Sequence, residues 1–410
     1  MRVSPALVGD LNRTAVLSLI ARQGPISRSE VARRLAISPA TVTSATRHLL
    51  ERGLIKVVER APSRGGRPAL LLGLVASAAH ALGVKIAADH LVGVRVDLDG
   101  EVFDGFESPF DAAAVGALDQ LTAILRPHVT PPSEDGPLLL GIGLGLPGVA
   151  DGGPTGPVTS PVLGWDRLAI AELLERDLAV PVLVDNDVNT LAVAERLYGR
   201  GQSTEHFLTV TIGRGVGLGI VVGGEVYRGA HGGAGEFGHV AAVEDGPLCE
   251  CGKHGCLEAL VADPALVREG QTAGVLAPGE GVDRLRALAE AGDEAAFVIY
   301  RNAGATFGRA VANLVNVLSP ECVFVSGEGT QSWPYLATSF HSAFEETLFS
   351  PFRETPVEID PWDDARWAKG AAALVLRATF VPALSRLEPD ESVRVRLAQG
   401  ETLTRAGVVA

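Results

Sequence analysis

Apolar residues recur at helical spacing three times before residue 53. From Asn12 to Gly24, Val16, Leu19 and Ile20 share one face, with Asn12 as the expected N-cap and Gly24-Pro25 as the stop. Ser27 and Glu30 open a second helix with the spacing of a capping box. A third starts at Ser38 as N-cap, takes Pro39 at its first position and ends before Gly53. Only two or three residues separate the second and third helices, as in a helix-turn-helix. The apolar run Leu54–Val58 then predicts a strand, and Glu59–Leu74 predicts a turn around Gly65-Gly66 followed by a returning strand, together a wing.

Past residue 75 the pattern changes to apolar strands alternating with helices, the signature of an α/β body. Residues 83–102 read as strand, short turn, strand. Residues 208–226 repeat that form, with Gly100-Glu101-Val102 matching Gly224-Glu225-Val226, so two similar lobes with a cleft between them are expected. Between the repeats, Pro181–Val184 reads as a buried strand, followed by Asp185-Asn186-Asp187 and a helix. Open α/β sheets bind ligands at the carboxyl ends of strands. A helix cap by Asn186 or Asp187 accounts for one polar residue but not for three in a row, which favours a ligand site.

Charge separates the chain into a head and a body. Residues 1–68 carry 12 Lys/Arg against four Asp/Glu, net +8, whereas the remainder carries 23 against 45, net −22. A basic head on an acidic body directs the head alone toward a polyanion. On the third helix, Val42, Ala45 and Leu49 face inward, while Ser38, Thr41, Thr43, Ser44, Arg47 and His48 lie on or beside the opposite face. Small hydroxyls with one arginine suit base edges and phosphates of double-stranded DNA in the major groove. Arg64 and Arg67 at the wing tip suit the backbone or the minor groove. At 410 residues the chain is long enough for two or three domains. The start lacks a signal-length apolar run, and 138–150 is too short and too broken by Gly and Pro to span a bilayer. A soluble, cytoplasmic protein without membrane association is expected, in which thiols stay reduced.

That expectation bears on Cys249-Glu250-Cys251-Gly252-Lys253-His254-Gly255-Cys256, which holds three of the four cysteines. With disulfides disfavoured, a metal is the reading, and the local sequence offers His254 as a fourth ligand. Gly252 and Gly255 permit the tight turns that would aim successive sulfurs at one ion. Cys322 sits in an apolar run and reads as a core residue.

Taken together, the head and the motifs Asp185–Asn189, Gly213–Gly219, Gly235–His239 and Cys249–Glu258 resemble the ROK family, named for repressors, open reading frames and kinases. The resemblance implies a winged helix-turn-helix (1–75) followed by a two-lobed sugar-kinase/actin-like, ribonuclease H-like α/β body. The first lobe (76–190) would be completed by a helix around 368–380, and the second (191–367) would carry the metal. It further implies one structural Zn2+ per chain on His239, Cys249, Cys251 and Cys256, His239 rather than His254 supplying the nitrogen. A monosaccharide or sugar derivative would be bound by Asn186, Asp187, Glu236, His239 and Glu258. Val162, where many members carry Asn, departs from the pattern.

Kinases of the family carry Asp-x-Gly-Gly-Thr in the first hairpin, where this chain has Lys85-Ile86-Ala87-Ala88-Asp89-His90. Cβ atoms at Ala87 and Ala88 obstruct a phosphate approach. Asp89 at ~4 Å from a phosphate would repel it by roughly 4 kcal/mol per unit charge at an effective dielectric of 20. Arg214 also replaces the usual Thr of the second phosphate loop. Asp187 matches the kinase base, yet no catalytic residue is assigned. The resemblance implies a sugar-responsive regulator of carbohydrate genes, most simply a repressor, acting on operator DNA as a homodimer or homotetramer. The alternative it leaves is a ROK sugar kinase with an appended DNA-binding head.

Overall fold

The computed structural model describes residues 5–60, 69–129, 137–360, 363–381 and 393. Arg64 and Arg67 lie outside the described residues. The chain divides into two compact units, Met1–Tyr198 with Trp367–Ala410, and Gly199–Arg366.

The head comprises α1 (Pro5–Gln23), β1 (Ile26–Ser27), α2 (Arg28–Leu35), α3 (Pro39–Glu51), β2 (Ile55–Arg60) and β3 (Leu70–Leu74), with strand order β1-β3-β2. Val16, Ile20, Val31, Val42, Leu49 and Leu72 form its buried core. Ser38 caps α3 by accepting the Thr41 N–H at 3.1 Å. The capping box at α2 forms by half: Ser27 Oγ accepts the Glu30 N–H, but the Glu30 carboxylate turns to Arg33 and Arg34. Two guanidiniums one turn ahead attract a carboxylate more strongly than one neutral amide does. Asn12 lies within α1 rather than at its start, because the helix begins at Pro5, a residue its first position tolerates.

The rest of the first unit is built on β4 (Ala79–Ile86), β5 (His90–Asp97), β6 (Val102–Pro109), β7 (Leu138–Leu146) and, after a small sheet of β8 (Val149–Ala150), β9 (Val158–Ser160) and β10 (Trp165–Leu168), β11 (Val182–Asn186). Helices α4 (Ala117–Leu125), α5 (Ile170–Leu178) and α6 (Asp187–Tyr198) accompany them. The order β11-β7-β4-β5-β6 has β4, β5 and β6 antiparallel, and β7 and β11 parallel to β4.

The second unit repeats that order. Its sheet, β14-β13-β12-β15-β16, comprises β12 (Phe207–Ile212), β13 (Val216–Val222), β14 (Glu225–Val226), β15 (Cys322–Ser326) and β16 (Val357–Ile359). Here too the first three strands run antiparallel and the last two parallel to the first. The matched Gly-Glu-Val triplets fall at the same place in each sheet, with Gly100 and Gly224 both at positive φ. Helices α7 (Glu258–Val261), α8 (Asp263–Thr272), α9 (Val282–Glu290), α10 (Glu294–Leu318) and α11 (Trp333–Thr347) complete the unit, and Cys322 is buried in β15.

A further helix, α12 (Asp364–Phe380), packs on the first sheet. Gly83 of β4 and Gly143 of β7 are register partners, and a Cβ on either would lie within 2 Å of the Ala368 or Ala371 carbonyl oxygen. Two glycines side by side therefore let an alanine-faced helix rest directly on strand backbone.

Candidate functional site

In the head, Thr43, Ser44 and Arg47 are exposed on α3, Thr41 and His48 are half-buried, and Val42, Ala45 and Leu49 are buried. Ser38 is exposed, but its hydroxyl is engaged as the cap. Thr43 Oγ1 donates to the Pro39 carbonyl at 2.8 Å and retains its lone pairs for a partner. The opposite face thus presents one guanidinium among hydroxyls, the chemistry of a DNA-reading helix.

In the first unit, β11 ends in Asp185-Asn186 and α6 begins at Asp187. The three polar residues have separate jobs. Asp185 is buried and accepts from Asn189 Nδ2 at 2.9 Å and from the Asn186 N–H at 2.8 Å, fixing the strand-helix corner. Asn186 Oδ1 accepts the Val188 N–H at 2.9 Å, and its Nδ2 donates to the Gly148 carbonyl at 3.2 Å, so Asn186 acts as the helix cap. Asp187, half-buried at the first helical position, accepts the Val188 N–H at 2.9 Å. Val162 lies exposed on the turn before Trp165.

In the second unit the structure brings four ligand-type residues together. The donor atoms of His239, Cys249, Cys251 and Cys256 all lie within 4.8 Å of one another. Cys249 Sγ is 3.6 Å from His239 Nδ1, and Cys251 Sγ is 3.6 Å from Cys256 Sγ. Bonds of about 2.3 Å to sulfur and 2.0 Å to nitrogen in a tetrahedral site imply donor separations of about 3.5–3.8 Å, which these two distances match, so the set can hold a metal ion such as zinc. His254 is turned away, its Nδ1 bonded to the Gly246 carbonyl at 3.0 Å.

The fold of the loop explains the choice of histidine. Bridges pair Ala241 with Cys256 and Leu248 with His254, so the chain doubles back on the segment after His239. Gly255, at φ 73°, passes so close that a Cβ would sit 1.9 Å from the Val243 oxygen. Burial pushes the Cys249 thiol up to about 11 and raises that of Cys256, while a hydrogen bond from the Lys253 backbone lowers that of Cys251. Lys253 Nζ donates to the His239 carbonyl at 3.0 Å, placing a cation beside the sulfurs.

The acidic residues expected at a sugar cluster around the same segment. His239 Nε2, on the side of the ring away from Nδ1, is 3.9 Å from Glu236 Oε2. Glu258 Oε2 accepts the Val216 N–H at 3.0 Å and lies beside Gly238, where a Cβ would come within 3.1 Å of it. Glu236, His239 and Glu258 thus present carboxylates and an imidazole together, groups that can bind sugar hydroxyls.

Sequence reasoning missed Glu328, which follows β15. Its Oε1 accepts the Arg214 N–H at 2.7 Å, and a Cβ on Gly213 would lie 2.2 Å from Glu328 Cδ, so a larger residue there would displace the Glu328 side chain. Beside it, burial and then the charge of Glu328 raise the Asp263 carboxyl to about 6. The Gly-Glu-Gly at 327–329 was the available signal, but nothing in it says which turn the side chain fills. Arg28 and Thr46 of the head were also missed.

Residues 82–378 match the ROK family and residues 10–61 match the MarR family. The chain is 31% identical over 381 residues to the DNA-binding transcriptional dual regulator NagC of Escherichia coli K12, covering 91% of this chain and 94% of the relative. It is 26% identical to the xylose repressor of Bacillus subtilis 168, over 84% of this chain and 88% of that one. A crystal structure described as a ROK family transcriptional regulator, homolog of E. coli MLC protein, superposes with a TM-score of 0.81 at 24% identity, over 96% of this chain and 100% of that one. A ROK family glucokinase from Streptomyces griseus, in complex with glucose and AMPPNP, superposes with a TM-score of 0.62 at 25% identity, over 72% of this chain and 98% of that one. The kinase match leaves more than a quarter of the chain uncovered, whereas the regulator match leaves almost none.

Proposed function

The chain belongs to the ROK family, and on that premise we propose that it is a sugar-responsive, DNA-binding transcriptional repressor of carbohydrate genes. The observation that carries this reading is a winged-helix head on a ROK body, aligned over nearly its full length with a NagC regulator. Operator DNA is read by Ser44 and Arg47, with Thr41, Thr43 and His48 beside them and Ser38 holding the helix end, and Arg64 and Arg67 add charge for its backbone. Two heads of a dimer, or of a tetramer, engage half-sites about one helical turn, ~34 Å, apart. The protein works in the cytoplasm, where its operator is.

The effector is a monosaccharide or a derivative of one. The groups that hold its hydroxyls come from among Asp187, Glu236, His239 and Glu258, and Asn186 secures the helix start behind Asp187. Zinc on His239, Cys249, Cys251 and Cys256 is structural: four protein ligands leave no position for water. When bound, the ion locks the loop, and through His239 and the segment leading to Glu258 it holds the neighbouring carboxylates in place. The sugar changes operator affinity only insofar as it binds the DNA-competent and DNA-free states unequally.

Retention of Asp187 favours the second reading, a sugar kinase with a DNA-binding head. Against it stand Ala87, Ala88 and Asp89 in the first hairpin turn and Glu328, which follows β15 and is bonded to the second. Phosphoryl transfer needs the phosphates cradled and their charge offset, and a carboxylate at each turn does the opposite. The test is operator binding by the purified protein with and without a panel of hexoses, pentoses and amino sugars, alongside a coupled ATPase assay. Failure to shift the promoter DNA of its own gene, or sugar-dependent ATP turnover at ordinary kinase rates, overturns the reading.

A further inference from the structure

Arg28 opens α2, and its Nε–H donates to Thr46 Oγ1 on α3 at 2.8 Å. Thr46 is fully buried, and its own hydroxyl proton goes to the Val42 carbonyl at 2.8 Å. A buried hydroxyl on the recognition helix therefore spends its acceptor capacity on one guanidinium nitrogen of the neighbouring helix. The other arginines nearby are used differently. Glu30 pairs with Arg33 and Arg34, and Asp10 pairs with Arg13. Among the described residues no carboxylate pairs with Arg28.

We propose that Arg28 is a phosphate-binding residue of the DNA interface, held in position by Thr46. Fixing Nε leaves the two terminal nitrogens of the planar fork for one acceptor of matching geometry, and a DNA phosphate offers two oxygens at the required spacing. Thr46 lies one turn beyond the exposed Thr43 on the same side of α3, its Oγ1 3.3 Å from the Thr43 carbonyl oxygen, and Arg28 is itself half-buried, so the fork stands at the edge of the surface that reads bases, where the sugar-phosphate backbone flanks the major groove. The Thr46 hydroxyl restricts the rotamers of a long side chain before DNA arrives, so less conformational entropy is lost on binding. Arg28 sets register and affinity; Arg47 reads sequence.

This inference rests on the DNA-binding reading, and one experiment separates the two. Fluorescence anisotropy would follow the full-length protein on a duplex from upstream of its own gene and on a scrambled duplex, across a salt series. Arg28→Ala should weaken both duplexes by the same factor and reduce the slope of log affinity against log salt by about 0.9, one released counterion. Arg28→Lys should restore that slope without restoring full affinity, because an ammonium carries the charge but not the fork. Thr46→Val should lower affinity for both duplexes less than Arg28→Ala does; should it fail to fold, the Arg28 variants alone decide. An unchanged salt slope in Arg28→Ala, or a loss confined to the cognate duplex, overturns the proposal while leaving DNA binding intact. No binding by the wild-type protein would instead remove the reading beneath it.

Discussion

The main-chain N–H of Arg214 donates to Oε1 of Glu328 at 2.7 Å, so the turn between β12 and β13 already holds an anion belonging to the protein. Glycine-rich turns with inward amides bind phosphates for the reason this one binds a carboxylate. A nucleotide phosphate would meet both an occupied donor and a negative charge. The wild-type protein should therefore bind Mg–AMPPNP only weakly by calorimetry, and Glu328→Ala should bind it at least about tenfold more tightly, a change of about 1.4 kcal/mol. Sugar phosphorylation should stay absent in both, since Ala87, Ala88 and Asp89 are unchanged. Tight nucleotide binding by the wild type would remove the internal carboxylate from the explanation.

Burial, reinforced by Glu328, also creates a pH effect. Asp263 titrates near 6 because it is buried and faces Glu328, against an ordinary value of 3.8. Its folded-state pKa is raised, so its contribution to stability is complete below about 4 and is lost as pH rises through 6. Roughly two units correspond to at most about 3 kcal/mol. Asp263→Asn should thus gain on the wild type in urea unfolding at pH 8, with the gap closing toward pH 4. A gap independent of pH would show that Asp263 is not the titrating group.

How much of this could be read from the sequence differs between elements. Helix periodicity, Ser38 and Pro39 located α3, because capping and side-chain burial act within a few residues of the chain. The Gly-Glu-Val triplets pointed to two related lobes, and the two sheets do share one strand order. Asn12 misled because burial of Val16, Leu17 and Ile20 outweighs the mild preference of one Asn for a helix end, so α1 runs through it. Spacing alone could not choose between His239 and His254, since the choice depends on strand bridges that fold the loop back on itself. Glu328 was invisible for a stronger reason: its partner lies 114 positions away in the chain.

The metal site gives a prediction with little packing to confuse it. Cys251 is exposed, so Cys251→Ala removes a ligand without opening a cavity. Zinc content should fall from one per chain toward zero, and the sugar response should disappear while the head still binds DNA. Gly255→Ala should do the same through strain, since its Cβ would meet the Val243 oxygen at 1.9 Å. Gly252→Ala, with open space around it, should be milder. Full zinc occupancy in Cys251→Ala, measured by atomic emission, would point to a different ligand set.

Arg47 is the exposed guanidinium of α3. If it reads a guanine, Arg47→Ala costs about 1–3 kcal/mol on the cognate duplex and relaxes preference at one base pair. Binding to scrambled DNA should change far less, in contrast to Arg28→Ala. Equal losses on both duplexes would make Arg47 another backbone contact.

Asp187 separates sugar sensing from DNA reading. It begins α6, beyond a corner that Asp185, Asn186 and Asn189 hold through bonds of their own, so its carboxylate can be altered without dismantling the corner. Asp187→Asn keeps the shape and the hydrogen bond to the Val188 N–H but loses the charge and one acceptor. A charge-assisted bond to a sugar hydroxyl contributes about 1.5–3 kcal/mol, so the effector concentration needed for half-maximal response should rise by roughly ten- to a hundredfold. Operator affinity without sugar should match the wild type. A dose-response curve that does not move would place the effector away from the β11–α6 corner, and a fall in sugar-free DNA binding would mean that Asp187 supports the fold rather than the ligand.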